Sequence, residues 1–408
     1  MTHPDTSCVR SKVWPWLAVL ALLAVLALMV PAAAHAQPYG HAVAQPFFDF
    51  PSAARFSTCR PGPVPWGYEV FPEYYSSEIP GCPPVPSVSC IDEFVAHRPS
   101  DWYASADFAP LTVDYGSDIT VARVFNPFLP PPDSLAQKAL TTADFRPEFD
   151  AGGKYTVGRR IWDCYRIETT YLGSYEWESS AVANSADPNV GDLSSILGGF
   201  LDPPNPLFDD NTEVYIAQQA RMWSVEANLR YWVDMPPGPF DVSILVGARY
   251  MQIEDRFRLH STNAGGENDV LSETENNMLG VQVGIDGAFL IHPRYWIDVD
   301  LKGGIYNNET SLNYALTPAA GPLDPVVGDA QRTSWVGELS IVGHWQMTPN
   351  LVFNFGYQAM WVEGLALGFE NVANPPFQDG INPPPTTQFD DSGHLVYHGP
   401  IIGLMWVR

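Results

Sequence analysis

The sequence predicts an all-β fold, an antiparallel transmembrane β-barrel of about ten strands, with eight to twelve as the range. Three observations carry this. Apolar and polar residues alternate with period two over long stretches. Short and long connections alternate between those stretches. An export signal precedes them, and no later apolar run reaches the ~20 residues that a membrane helix needs.

The export signal comes first along the chain. Arg10 and Lys12 precede an apolar run from Val13 to Val30, then Pro31 and the small-x-small site Ala34-His35-Ala36. This is the layout of a secretory signal peptide over residues 1–36, cleaved before Gln37. An uncleaved anchor is the alternative, and it suits the proline and the alanine-rich end less well.

Residues 37–99 form a Pro- and Cys-rich segment. Pro61, Pro63, Pro65, Pro72, Pro80, Pro83, Pro84 and Pro86 preclude long helices and central strands there. It is expected in the periplasm. The barrel is expected over 100–408.

Six strands stand out. Tyr165–Trp177 sets Ile167, Thr169, Tyr171 and Tyr175 against Arg166, Glu168, Ser174 and Glu176. Trp223–Val233 sets Trp223, Val225, Leu229 and Tyr231 against Ser224, Glu226, Asn228 and Arg230. Phe240–Tyr250, Asn277–Ile291, Tyr295–Ile305 and Leu351–Trp361 repeat the pattern. Trp102–Val113, Lys154–Trp162, Thr333–Met347 and Leu395–Val407 are weaker and bring the total to ten. Short connections are expected at Asp163-Cys164, Asp234–Pro239, His292-Pro293 and Thr348–Asn350. Long ones are expected near 110–151, 178–217, 257–276, 307–332 and 365–394. Outer-membrane barrels pair short periplasmic turns with long external loops. With ten strands, both ends of the barrel domain fall on the short-turn side.

Aromatic residues are expected in two girdles at the lipid interfaces. Tyr231, Trp232, Tyr295, Trp296, Trp345 and Trp406 are placed near the periplasmic ends of the strands. Trp223, Tyr306, Trp335, Trp361 and Tyr397 are placed near the external ends.

Charge narrows the partners. With 46 Asp and Glu against 21 Lys and Arg, the net charge is −25. Nucleic acid, which needs a basic footprint, is excluded as a partner. Outer-membrane lipid and the outer-membrane barrel assembly machinery are the expected partners, and any external ligand is unspecified. Barrel chains handled by that machinery usually end in an aromatic; this chain ends in Arg408, and Trp406 is the nearest candidate for that signal.

The stretch from Trp223 to Arg408 resembles a large family of planctomycete outer-membrane β-barrel proteins of unknown biochemical role. The resemblance is carried by WSVEANLR at 223–230, GARYMQIE at 247–254, NMLGVQVG at 277–284, GELS at 337–340 and YHGPIIG at 397–403. Residues 152–176 resemble its second and third strands more loosely. It implies a barrel and a location, and no reaction.

Candidate chemistry is sparse. Once the signal has gone, Cys59, Cys82, Cys90 and Cys164 remain, an even number in an oxidising compartment. Two disulfides are expected, with Cys164 tying the N-terminal segment to the barrel; three pairings are open. On the inward strand faces lie Arg166, Glu168, Glu226, Arg230, Arg249, Asp286, Asp298, Asp300, Lys302 and Glu338. They are read as a paired, hydrogen-bonded filling, with an ion-selective pore lining as the alternative. Asp209-Asp210-Asn211-Thr212-Glu213 is a candidate Ca²⁺ loop and equally plain turn chemistry. No other cofactor is expected, and no GxSxG or HExxH signature occurs. The leading expectation is a non-enzymatic outer-membrane protein with a structural or surface-contact role through its external loops. A narrow channel for small solutes or ions is the alternative, and a loop-sited hydrolase the third.

Overall fold

The computed structural model describes residues 102–116, 118–124, 137–162, 164–186, 191–197, 208–233, 239–292, 294–373 and 390–408. The signal segment, the Pro/Cys-rich segment and Cys59, Cys82 and Cys90 lie outside them. None of the described helices is long and apolar enough to cross a membrane.

Ten strands close into an antiparallel ring: β1 (Trp102–Phe108), β5 (Gly153–Trp162), β6 (Tyr165–Asn184), β8 (Asn211–Trp232), β9 (Phe240–Asn263), β10 (Gly266–His292), β11 (Tyr295–Thr317), β12 (Val326–Thr348), β13 (Leu351–Leu365) and β14 (Gly393–Val407). β14 returns to β1, with Tyr103 opposite Val407 and Phe108 opposite Ile402. In the near tier closure leaves no strand edge, which is what a sheet in hydrocarbon requires, because lipid offers nothing to a free N–H or C=O. Four short strands lie off the ring: β2 (Thr112–Asp114), β3 (Thr120–Val124), β4 (Gln137–Thr141) and β7 (Leu193–Ser195). One short helix, α1 (Gly368–Ala373), follows β13.

The barrel has two tiers. In the near tier, at the end with the short turns, apolar side chains point out. Along β10, Leu279, Val281 and Val283 are 62%, 66% and 62% exposed, and Ile285, Phe289 and Ile291 continue the row. From Leu279 to Ile291, at ~3.3 Å per residue and ~40° tilt, the row stands about 30 Å tall, the thickness of a bilayer's hydrocarbon core. Matching rows run along β9 (Phe240, Ile244, Val246), β11 (Val299, Leu301, Ile305), β12 (Trp335, Leu339, Ile341, Trp345) and β14 (Ile402, Leu404, Trp406). Such a continuous apolar belt belongs in lipid; a soluble protein keeps its apolar patches small.

In the far tier the polarity inverts on the same strands. Beyond Tyr250, β9 turns Gln252, Glu254, Arg256 and Arg258 outward and buries Met251, Ile253, Phe257 and Leu259. β8 inverts at Trp223, β10 between Asn277 and Leu279, and β11 between Ile305 and Asn307. The far tier is therefore a water-facing wall around an apolar core. The regions 257–276 and 307–332, read from sequence as long loops, are mostly strand. β9 and β10 meet at a tight turn around Ala264 and Gly265, and Gly266 takes φ +127° there. Long strands, rather than long loops, set the spacing.

A bulge shifts register on β6 between Leu172 and Tyr175, where Ser174 adopts φ +72°. It reverses the alternation expected there. Tyr175 and Trp177 face inward, while Glu176 and Glu178 face water. The two aromatics hold the segment after β1: Tyr175 Oη donates to Ala109 O at 2.6 Å and Trp177 Nε1 to Leu111 O at 2.8 Å.

The tier boundary makes a prediction. Val283→Arg, on the lipid-facing row, should lower folding stability in bilayers by about 2–4 kcal/mol. Arg256→Val, on the outer wall of the far tier, should change it by no more than about 0.5 kcal/mol. Urea unfolding of protein folded into vesicles measures both.

Candidate functional site

The lumen is where sequence placed the chemistry, and three layers of side chains stack along it. Nearest the short turns is a small apolar cluster of Ala288, Trp296, Val352, Met405 and Val407, with Tyr103 and Leu290 against it. Trp296 stacks on His344 with centroids 4.9 Å apart, and His344 Nε2 lies 3.2 Å from Asp298 Oδ2. Asn354 joins the same corner, its Oδ1 accepting from His344 Nδ1 at 2.9 Å and its Nδ2 donating to Asp107 Oδ1 at 3.0 Å.

The middle layer is ionic. Strands β6, β8, β10 and β11 place Glu168, Arg230, Asp286 and Asp300 around one centre. Arg230 Nε donates to Glu168 at 2.8 Å, its Nη1 to Asp286 at 2.7 Å, and its Nη2 lies 3.6 Å from Asp300. A second centre joins Arg249 and Lys302 to Glu226 and Glu338. Arg249 Nη2 reaches both carboxylates at 2.5 Å, and Lys302 Nζ lies 3.0 Å from Glu226 and 3.6 Å from Glu338. Lys154 comes from β5 to Glu338 at 3.4 Å. Gln282 donates to Glu226 at 2.7 Å and to Asn228 at 2.8 Å. Arg166 lies over the rings of Tyr103 and Trp232, 5.1 and 4.9 Å from their centroids.

All ten residues assigned to the lumen from sequence face it. Eight of them are buried, while Asp298 and Asp300 keep part of their side chains accessible. The network also takes in Lys154 and His344, which the sequence reading leaves out, and Asn228, Gln282 and Ser243 (accepting from Arg230 Nη1 at 2.9 Å), which lie on the polar strand faces but are not assigned to it from sequence. Strand parity with Glu338 is the signal that would have added His344.

The far layer is a hydrophobic core. Wall residues such as Ile216, Met222, Ile253, Phe257 and Tyr314 pack on Leu111, Tyr115, Val121, Phe145 and Leu193 from the inserted segments, and on Phe369 and Val372 of α1. Phe257 meets Phe145 edge-on at 6.1 Å, and Tyr115 meets Phe369 edge-on at 5.8 Å.

Of the expected girdle, Trp223, Tyr231, Tyr295, Trp335, Trp345, Trp361 and Trp406 point outward. Trp232, Trp296, Tyr306 and Tyr397 do not: each is at most 3% exposed and faces the lumen. The reason is parity. Adjacent residues of a strand point to opposite faces, so Tyr231 and Trp232 cannot both meet lipid, nor can Tyr295 and Trp296. Tyr306 instead donates to Gln282 Oε1 at 3.2 Å.

The acidic stretch 209–213 turns at Asp209 and Asp210 and enters β8 at Asn211. Asp210 takes φ +54°, and buried Asn211 donates through Nδ2 to Phe208 O at 2.7 Å and Leu193 O at 3.1 Å. Among the described residues, no group of three His, Cys, Asp or Glu is placed to hold a metal ion.

A hydroxyl–imidazole–carboxylate array does occur, on the outer wall of the far tier. His260 Nδ1 lies 3.1 Å from Asp269 Oδ1, and Thr262 Oγ1 lies 3.5 Å from His260 Nε2. Arg258 also donates to Asp269 at 3.0 Å. The array is open to water, its carboxylate is already neutralised, and the hydroxyl sits at the limit of hydrogen bonding. It suits a strand-tip clasp better than an activated nucleophile.

No protein-family model matches the chain. No curated protein matches it either. Among solved structures, the chain is similar to the outer membrane protease OmpT from Escherichia coli, at 11% identity and TM-score 0.44, covering 75% of this chain and 96% of that one. It is also similar to the translocator domain of the autotransporter NalP from Neisseria meningitidis (8% identity, TM-score 0.34, 78% and 93% covered). A Pseudomonas aeruginosa FadL homologue matches at 8% identity and TM-score 0.22, with 75% and 89% covered. At these scores the likenesses bring no activity to this chain.

Breaking the second ionic centre tests the layer. Arg249→Met leaves Glu226 and Glu338 buried with less compensation and should cost about 3–5 kcal/mol. Adding Glu226→Gln to that variant should recover much of the loss. Urea unfolding in vesicles reads both.

Proposed function

We propose that this protein is a non-enzymatic component of a bacterial outer membrane, a closed barrel that displays an outer surface rather than passing solutes. One observation carries this: the lumen is filled along its height, by an apolar cluster, a compensated ionic layer and a hydrophobic core. In a barrel of about this size, side chains are expected to fill the interior. The far tier then acts as a pedestal. From Gly266 to Met278 its wall rises about 30 Å beyond the lipid belt. The outer face it lifts into water carries Arg221, Glu254, Arg256, Glu273 and Asp269.

In this reading the short-turn rim faces the periplasm. Trp102 and Arg408 pair there, through Trp102 N to Arg408 O at 3.1 Å and Arg408 N to Trp102 O at 2.9 Å. Cys164 lies in the turn between β5 and β6 at the same rim, where a disulfide would tie it down. We assign its partner to the Pro/Cys-rich segment, which it would fasten to the barrel. Lipid of the outer membrane and the assembly machinery remain the proposed partners.

In planar bilayers the folded protein should leave the current at baseline at pH 7.5, with a shift between boiled and unboiled samples on gels reporting that the barrel has formed. Steady conductance steps from the folded form would overturn the closed-lumen reading in favour of a channel. For the tether, proteolysis between residue 99 and β1 should release the N-terminal fragment on a non-reducing gel only in Cys164→Ser, and release from the wild type would contradict it.

A further inference from the structure

The end of β13 and the connection after it fold into the mouth of the far tier, and four neighbouring strands hold them through one polar side chain each. Ser334 on β12 donates through Oγ to Gly364 O at 2.6 Å, and Asn308 on β11 donates to the same carbonyl at 3.0 Å. Asn276 on β10 clasps Ala366 from both sides, donating to its O at 2.9 Å and accepting from its N–H at 2.8 Å. Asp255 on β9 accepts the N–H of Gly368, the first residue of α1, at 2.7 Å. Gly364 sits at φ +82°, a conformation that favours glycine. All four holding side chains are buried, and only one of them can change its charge.

We propose that Asp255 is a pH-responsive latch on this inner cap, so that the cap is held more tightly in acid than at neutral pH. The geometry supports both states of the carboxyl group. Ionised, it accepts from Gly368 N–H and from Gln218 Nε2 at 2.8 Å. Gln218 Oε1, buried, has no hydrogen-bond partner among the described residues. A half-turn of that amide offers Oε1 to a protonated Asp255, which can still accept from Gly368. Protonation then satisfies that acceptor while turning Nε2 away, so the hydrogen-bond count is even and the gain is the removal of a buried charge.

The surroundings favour the proton. Asp255 is 2% exposed, and its flanking outward residues Glu254 and Arg256 lie on the water-facing wall, so it is clear of the lipid belt. The facing titratable groups are the phenols of Tyr115 and Tyr397, which stay neutral between pH 4 and pH 8. Thr274 on β10 donates only to the Asp255 backbone carbonyl, and Phe369 on α1 is apolar. Glu370, on the same helix, has its Oε2 beside Gly393 of β14. Burial pushes the Asp255 carboxyl up to about 6, against the donation from Gln218 and Gly368 that would hold it down.

The sign follows. The capped state binds the proton more tightly than an opened, hydrated one. The cap is then most stable near pH 4, weakens as pH rises towards 6, and stays at its weaker level above that. A displacement of roughly two pH units sets a ceiling of about 100-fold on the change in the opening equilibrium.

Hydrogen exchange of the 364–373 amides, in full-length protein folded in vesicles and corrected for intrinsic exchange rates, reads the opening directly. Protection should fall at least tenfold between pH 4.5 and pH 7.5. Asp255→Asn keeps the shape, donates to Gln218 Oε1 and still accepts from Gly368, so it should hold the acid level of protection at both pH values. Equal wild-type protection at the two pH values would overturn the latch, as would an Asp255→Asn protein that keeps the full dependence. If the variant fails the gel-shift test for folding, a wild-type titration decides: a midpoint between pH 4 and 6 supports the latch, and a flat profile overturns it. Exchange reports the cap alone, so its outcome is separate from whether the barrel conducts.

Discussion

Everything in this protein depends on one closed ring of strands that crosses two solvents. Hydrocarbon forbids an unpaired backbone group, so the near tier has to close, and it does so through the pairing of β14 with β1. Water makes no such demand, yet the same strands continue into it. Side-chain polarity has to invert where the solvent changes, and it does so within a residue or two on each of β8 to β11. The far tier is thereby an ordinary soluble β-structure, apolar inside and polar outside, built on a membrane base.

Inversion dictates how the lumen is filled. In lipid the inward faces are the polar ones, and charge brought inside must be matched. Arg249 and Lys302 face Glu226 and Glu338, and Arg230 faces Glu168, Asp286 and Asp300. Such buried pairs add little net stability, but removing one partner is costly, so the layer acts as a constraint on register more than as a source of stability. Above it the wall offers apolar faces, and the chain supplies apolar partners by folding segments in from between β1 and β5, between β6 and β8, and after β13. Four buried polar side chains then fasten the last of these, and the single carboxylate among them makes that fastening sensitive to protons.

Much of the near tier was legible in the sequence, because lipid-facing alternation is strict there. All ten ring strands coincide with stretches picked out by period two, and the inward charges share parity along each strand. Two things hid the rest. On β10 the far tier reads Asn268, Val270, Ser272, Thr274 and Asn276 on its inner face, all but one of them polar and set between mostly polar residues, so 266–276 carries almost no alternation and resembles loop. The bulge at Ser174 is a backbone event with no hydrophobic signature, and it alone turns Tyr175 and Trp177 inward. The misplaced aromatics are different: Trp232, Trp296 and Tyr306 lie on the inward parity of their own strands, and parity overrides an aromatic's preference for the interface. Tyr397 sits on the lumen side of β14, packed against Trp177 across the barrel at 5.2 Å.

The two-tier wall is most directly tested by a spin-label accessibility scan of the outward positions of β10, from Asp269 to Phe289, in protein folded into vesicles. Labels at 279, 281, 283, 285 and 289 should be reached by oxygen from the lipid, and labels at 269, 271, 273, 275 and 277 by a water-soluble nickel chelate, with one crossover between Asn277 and Leu279. Oxygen-dominated relaxation running on through 271–277, or chelate access at 283, would contradict it.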